Sequence, residues 1–221
     1  MSTLVRTDAA SARRTLGWQL LLVYASLASA LWTAGIVRVV FIGVTALLAT
    51  VMTLSERRSL ADLGLDPRSI LRGWWIVPVG AALGGLILLA GWHWHTLRLP
   101  ADRRSAYSGV LLYVIWALIQ QFMLQSFMFL RLEQLLRGGR RAVIAAALLF
   151  ASAHIPNPVL VPVTLVGGLI LSELFRRYRT IYLLAVAQAL VALALAISVP
   201  EALLHDMRVG IGYISYSATH H

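Results

Sequence analysis

From Ser108 to about Leu130 the chain carries no charged residue. At 1.5 Å per helical residue, a run of that length covers the ~30 Å hydrocarbon layer of a bilayer. Lipid offers the backbone no hydrogen-bond partner, so such a stretch takes the helical form that closes its own bonds. Comparable apolar runs occur at Gly17 to about Ile36, Val39 to about Leu54, Trp74 to Trp94, Ala142 to His154, Val159 to Phe175 and Thr180 to Ser198. The expected fold is therefore all-α, a polytopic transmembrane helix bundle of about seven spans forming one membrane domain over residues 1–221. The polar segment 1–16 precedes the first span, which is read as retained, and a mixed tail follows residue 199. The polar loop SERRSLADLGLDPRSILRG is expected to hold one short helix stopped at Gly64 and Pro67.

Charge supplies the orientation. The basic residues number 19, all of them arginine, against nine acidic ones, a net charge of +10. In a water-soluble chain that excess would point to nucleic acid, but here the arginines lie in short loops between apolar runs, where the positive-inside bias accounts for them. With the N-terminus in the cytoplasm, the groups around Arg13, Arg57, Arg140 and Arg177 fall on the inner side, and Arg38, Arg98, Arg103, Arg104 and Arg208 on the outer. Membrane lipids and a membrane-embedded peptide or protein substrate are the expected partners, and nucleic acid is not. Arginine without lysine points to a high-GC coding sequence and a bacterial inner membrane. Cysteine is absent, so there is no thiolate nucleophile.

Polar residues deep in the apolar runs are the candidate functional groups, since they need partners there. Gln120, Gln121 and Gln125 interrupt WALIQQFMLQSFMFLR, His154 ends FASAHIPNP, and Gln188 stands alone in the last run. Counted from the inner membrane edge, Gln121 lies at roughly 14 Å, His154 at roughly 18 Å and Gln188 at roughly 12 Å. A cluster of Gln121, Gln125, His154 and Gln188, joined by Ser152 or Ser126, would leave none of them facing lipid. The plainer reading is interhelical glue at about 0.6 to 2 kcal/mol per hydrogen bond. Arg131, Glu133 and Glu173 stand near helix ends and are expected to snorkel to the interface. Phe122, Phe127 and Phe129 read as lipid-facing or packing surface, His93 and His95 as interfacial, and His220 and His221 as exposed tail.

Over about Ser59 to Ala192 the order of these groups resembles the CAAX protease and bacteriocin-processing family of intramembrane endopeptidases (CPBP, also called Abi). The family signature is Glu-Glu-x-x-x-Arg, then Phe-x-x-x-His, then His-x-x-x-Asn on successive helices. Here Phe150 and His154 keep the second motif, the first reads Gln120-Gln121-x-x-x-Gln125, and the third reads Gln188-x-x-x-Ala192. SLADLGLDP resembles the loop that precedes the family core. The resemblance implies peptide-bond hydrolysis at a mid-membrane site, with a glutamate taking the proton of the attacking water, histidines orienting that water and an asparagine stabilising the oxyanion. Carried over, it makes His154, Gln121, Gln120 and Gln188 the candidate catalytic residues. Gln125, Phe150, Ser152, Glu173 and His205 are candidates for the cavity.

A neutral amide has no useful basicity near pH 7, although it can hydrogen-bond water or an oxyanion. Three expectations stay open. The first is a working endopeptidase with His154 as base, Gln121 and Gln188 holding water or oxyanion, and a carboxylate reaching in from Glu173 or from the pair His205 and Asp206. The second is a pseudoprotease that binds a membrane peptide, lipid or partner protein without cleaving it. The third is a small transporter. No cofactor is expected, and no metal, because His154 lacks the two companion ligands a catalytic zinc needs, unless the tail brings His205 and Asp206 to it.

Overall fold

The structure is a computed structural model that describes residues 2–98 and 103–219, with side chains over 11–98 and 109–216. The terminal pair His220 and His221 lies outside the described residues. Helices α1 (Ser2–Leu31) and α2 (Gly35–Ser55) form an antiparallel hairpin whose tight turn is taken by Gly35 at φ +58°. After the short α3 (Ser69–Gly73) come α4 (Ile76–His93) and α5 (Arg103–Gln121). The helix of α5 continues through a π-helical segment, Phe122–Phe129, into α6 (Leu130–Leu136). Then follow α7 (Gly139–Ser152), α8 (Leu160–Tyr178), α9 (Ile181–Ser198), the single turn α10 (Glu201–Leu204) and α11 (Ile211–Thr219). No strand occurs among the described residues.

Two close helix pairs set the frame, and glycines make both possible. In α4, Gly80 lies against the Cα of Ala187 of α9, Gly84 against the Leu190 carbonyl and Gly91 against Ser198. In α7 and α8, Gly168 lies against the Cα of Ala147. Small residues let backbones approach where no hydrophobic force separates helix from lipid. A Cβ on Gly80 would sit 2.8 Å from the Cβ of Ala187 and 2.9 Å from its Cα, so the helices must separate. We therefore expect Gly80→Val to cost about 1–3 kcal/mol, as overpacking does. Gly85, which meets nothing within 4 Å, should accept valine with little loss. Unfolding of both variants in mild detergent checks the contrast.

The central helix runs between these pairs. Every residue from Leu124 to Leu132 is buried, so this stretch is covered on all sides, by α1 and α2 as well as by α7 and α8. Phe127 and Phe129 have no exposed surface, and Phe129 meets Phe175 edge to face at 5.7 Å, so these rings pack in the core and do not face lipid.

Among the described residues, four helical stretches are long and apolar enough to cross a membrane: Gly35–Ser55, Ile76–His93, Gly109–Leu136 and Ile181–Ser198. The remaining expected spans fall short for identifiable reasons. Helix α7 has 14 residues, about 21 Å of rise. Helix α8 carries Glu173, Arg176 and Arg177 in its last turns, and α1 is diluted by Arg14, Thr15, Gln19, Ser26 and Ser29. In the loop before α4, Leu63 bonds back to Ser59 for one helical turn that ends at Gly64, φ +73°, and the regular helix comes after Pro67 instead.

Candidate functional site

The glutamines come together as a ladder. Gln121 donates its Nε2 to Gln188 Oε1 at 2.5 Å, Gln188 donates in turn to Gln120 Oε1 at 2.5 Å, and Gln125 donates to Gln121 Oε1 at 3.2 Å. Gln121 and Gln125 are fully buried, while Gln120 and Gln188 are half-buried. The ladder joins α5 and the π-helical segment to α9, where Ala117, Ala185 and Ala189 keep the two backbones close. The π-helical turn shows in the bond from the Leu130 N–H to the Gln125 carbonyl, one residue longer than an α-helical bond, and such turns are frequent at functional sites. Gln125 Oε1 is the one ladder oxygen that is buried and accepts no hydrogen bond. Gln121, Gln125 and Gln188 each donate to a neighbouring amide while Gln120 accepts, and none of the ladder's members can take up a proton near pH 7.

His154 stands apart. It stands two residues past the end of α7, its Nδ1 lies 2.7 Å from the Phe150 carbonyl, and its ring meets Phe150 edge to face at 4.8 Å. A carbonyl only accepts, so Nδ1 carries the proton and Nε2 is left as the basic nitrogen. Among the described residues, no hydrogen bond joins His154 to the glutamines. The expected joining serines go elsewhere: Ser152 Oγ pairs with the Tyr24 hydroxyl at 2.6 Å, and Ser126 Oγ donates to the Leu63 carbonyl at 2.7 Å.

Neither expected carboxylate source reaches in. Glu173 is held by Arg176 at 2.7 Å and Arg177 at 2.6 Å on its own helix. His205 is buried between the rings of Tyr213 at 4.3 Å and Tyr216 at 5.5 Å. The tail that carries it docks on the α7–α8 turn. Asn157, fully buried, donates to the Leu204 carbonyl at 2.8 Å and the Arg208 carbonyl at 3.1 Å, and Gly210 donates to the Ile155 carbonyl at 2.9 Å. Among the described residues, no three His, Asp or Glu side chains converge as metal ligands would.

Arg131, expected at the interface, and Asn157, which no motif marked, are as deeply buried as the glutamines. Arg131 does not snorkel; it has no exposed surface. Its Nη2 meets Glu56 Oε1 at 2.5 Å, Nε donates to Gln19 Oε1 at 3.0 Å and Nη1 to the Phe127 carbonyl at 3.0 Å, while the guanidinium lies 3.9 Å over the Phe127 ring. Glu56 also holds Arg58 at 2.5 Å. The α1–α2 hairpin covers the end of the central helix, which turns an apparent helix-end charge into an interior one. The available signal was a charge inside an apolar stretch, which demands a partner. For Asn157 the signal was its place just ahead of a helix: its Oδ1 accepts from the N–H groups of Val159 and Leu160 at the start of α8.

Residues 101–194 match the family model Rce1-like, described as type II CAAX prenyl endopeptidase Rce1-like. No curated protein and no solved structure matches the chain. The matched segment contains all the motif positions, from Gln120 to Ala192, and with its apolar helices it supports an integral membrane protein. The family resemblance therefore holds: over residues 101–194, which contain Gln120, Gln121, Gln125, Phe150, His154, Gln188 and Ala192, this chain is similar to the Rce1-like type II CAAX prenyl endopeptidases.

Proposed function

We propose that this protein is a membrane pseudoprotease: it keeps the framework of a CAAX-type intramembrane endopeptidase and binds a membrane-embedded peptide or protein without cleaving it. The observation that supports this is the glutamine ladder. A positioned general base contributes about 10²–10⁴ in rate, and an amide supplies none of it. An oxyanion donor is worth about 10²–10³, and one N–H each of Gln121, Gln125 and Gln188 is engaged within the ladder. In this reading the chain crosses the bacterial inner membrane about seven times with its N-terminus in the cytoplasm, in keeping with the arginine distribution.

One observation favours hydrolysis as a second reading. The bond from His154 Nδ1 to the Phe150 carbonyl leaves Nε2 as a base, the tautomer a water-activating histidine uses. The test compares protein N-termini in membranes of cells expressing equal amounts of wild type, His154→Ala and Gln121→Glu. Identical N-termini for wild type and His154→Ala are expected. New N-termini with Gln121→Glu are expected as well, because that change returns a base to the position of a family glutamate. Cleavage sites present with wild type and lost with His154→Ala would overturn the proposal and identify the substrate.

A further inference from the structure

Away from the glutamine ladder, a groove of about 420 Å³ runs along α8, lined by Trp75, Leu169, Ile170, Glu173, Leu174, Arg177 and Tyr178. Its volume falls within the ~300–1,000 Å³ typical of small-ligand sites. The spans fix its depth. Trp75 immediately precedes the apolar helix that starts at Ile76, and Tyr178 lies just before the one that starts at Ile181. The two rings meet edge to face at 5.6 Å, so this end of the groove sits at the membrane edge, where amphipathic aromatics anchor. Leu169 and Ile170 lie roughly 12 Å deeper along α8.

Polarity follows depth. The deep part is apolar, and Ile170 is 53% exposed, open to a hydrocarbon chain. The edge is cationic. Arg177 is largely exposed and gives Glu173 only its Nε, leaving both Nη groups for another acceptor. Arg72, in the last turn of α3, which packs on α8, is exposed and makes no ion pair among the described residues. Glu173 also lines the groove, but Arg176 together with Arg177 outweighs it. An exposed pair of this kind holds its partners weakly, so a phosphate can share Arg177.

We propose that this groove binds one anionic phospholipid, with an acyl chain over Leu169, Ile170 and Leu174 and the phosphate held by Arg177 and Arg72. The site is independent of whether the protein hydrolyses anything. Each interfacial arginine contributes about fivefold to the preference for an anionic over a zwitterionic headgroup.

The test is native mass spectrometry of the full chain extracted from bilayers of equal dioleoyl phosphatidylglycerol and dioleoyl phosphatidylcholine. Wild type is expected to retain one phosphatidylglycerol in preference to phosphatidylcholine by about 25-fold, fivefold for each of the two arginines. The double variant Arg72→Gln, Arg177→Gln should bring the ratio near one, and Arg72→Lys, Arg177→Lys should keep most of it. Ile170→Trp, which fills the groove, should remove the retained lipid of either kind. A control that removes the same charge from the α1–α2 hairpin, Arg14→Gln with Arg57→Gln, should leave the ratio unchanged. Equal retention of the two lipids by wild type, or the same loss in the hairpin control as in the groove variant, would overturn the proposal in favour of a diffuse arginine field.

Discussion

Replacing Arg131 with alanine is expected to destabilise the protein by about 3 kcal/mol, near the lower end of what breaking a buried ion pair costs. The guanidinium has no exposed surface, and removing it strips Glu56 of an ion-pair partner and Gln19 Oε1 and the Phe127 carbonyl of a donor together. The loss stays near the lower end because Glu56 is partly exposed and keeps Arg58. Arg131→Lys should recover only part of it, since an ammonium cannot reproduce the planar fork that meets these acceptors at once. The pair also joins the α1–α2 hairpin to the central helix, so Glu56→Gln in the same background should add little once Arg131 is gone. Reversible unfolding in mixed micelles, run as a double-mutant cycle, measures this coupling. A cost below about 1 kcal/mol for Arg131→Ala would mean that the pair behaves as an exposed surface pair.

Asn157→Ala is expected to cost about 2–4 kcal/mol, combining a lost helix cap with two buried carbonyls left without a donor. The two roles can be separated. Asn157→Asp keeps the Oδ1 that accepts from Val159 and Leu160 but turns a second oxygen toward the carbonyls of Leu204 and Arg208. Helix α8 should survive that change, and the tail should detach. Hydrogen exchange reads the difference at the Gly210 amide, which bonds to the Ile155 carbonyl in the docked tail. Fast exchange at Gly210 with α8 still protected is the expected result for Asn157→Asp. Unchanged protection at Gly210 would show that Gly210 and Leu204 hold the tail without Asn157.

Depth along each helix brought Gln121 and Gln188 to one level from sequence alone, although 67 positions separate them, and they are indeed hydrogen-bonded. The same arithmetic put His154 at that level, yet its nearest acceptor is the carbonyl of its own Phe150. Depth is a property of one helix and follows from residue count. Azimuth depends on neighbours, and α7 packs mainly on α8 while Gln188 belongs to α9, which packs on α4 and α5. Reading Arg131 as a helix-end charge failed for the same reason. Nothing within the helix shows that α1 and α2 will cover that end and bring Glu56 to it.

Residue order alone sets the class of environment: apolar runs with few charges form helices in lipid, and any polar group inside them must find a partner because lipid supplies none. It thereby marked Gln120, Gln121, Gln125 and Gln188 as residues that had to be satisfied. The tertiary structure alone decided which partner each group found. Glycine-permitted crossings such as Gly80 on Ala187 and the widened turn at Phe122–Phe129 set the rotation of each helix against its neighbours. That rotation gave Gln121 to Gln188, Arg131 to Glu56, and Asn157 to the tail.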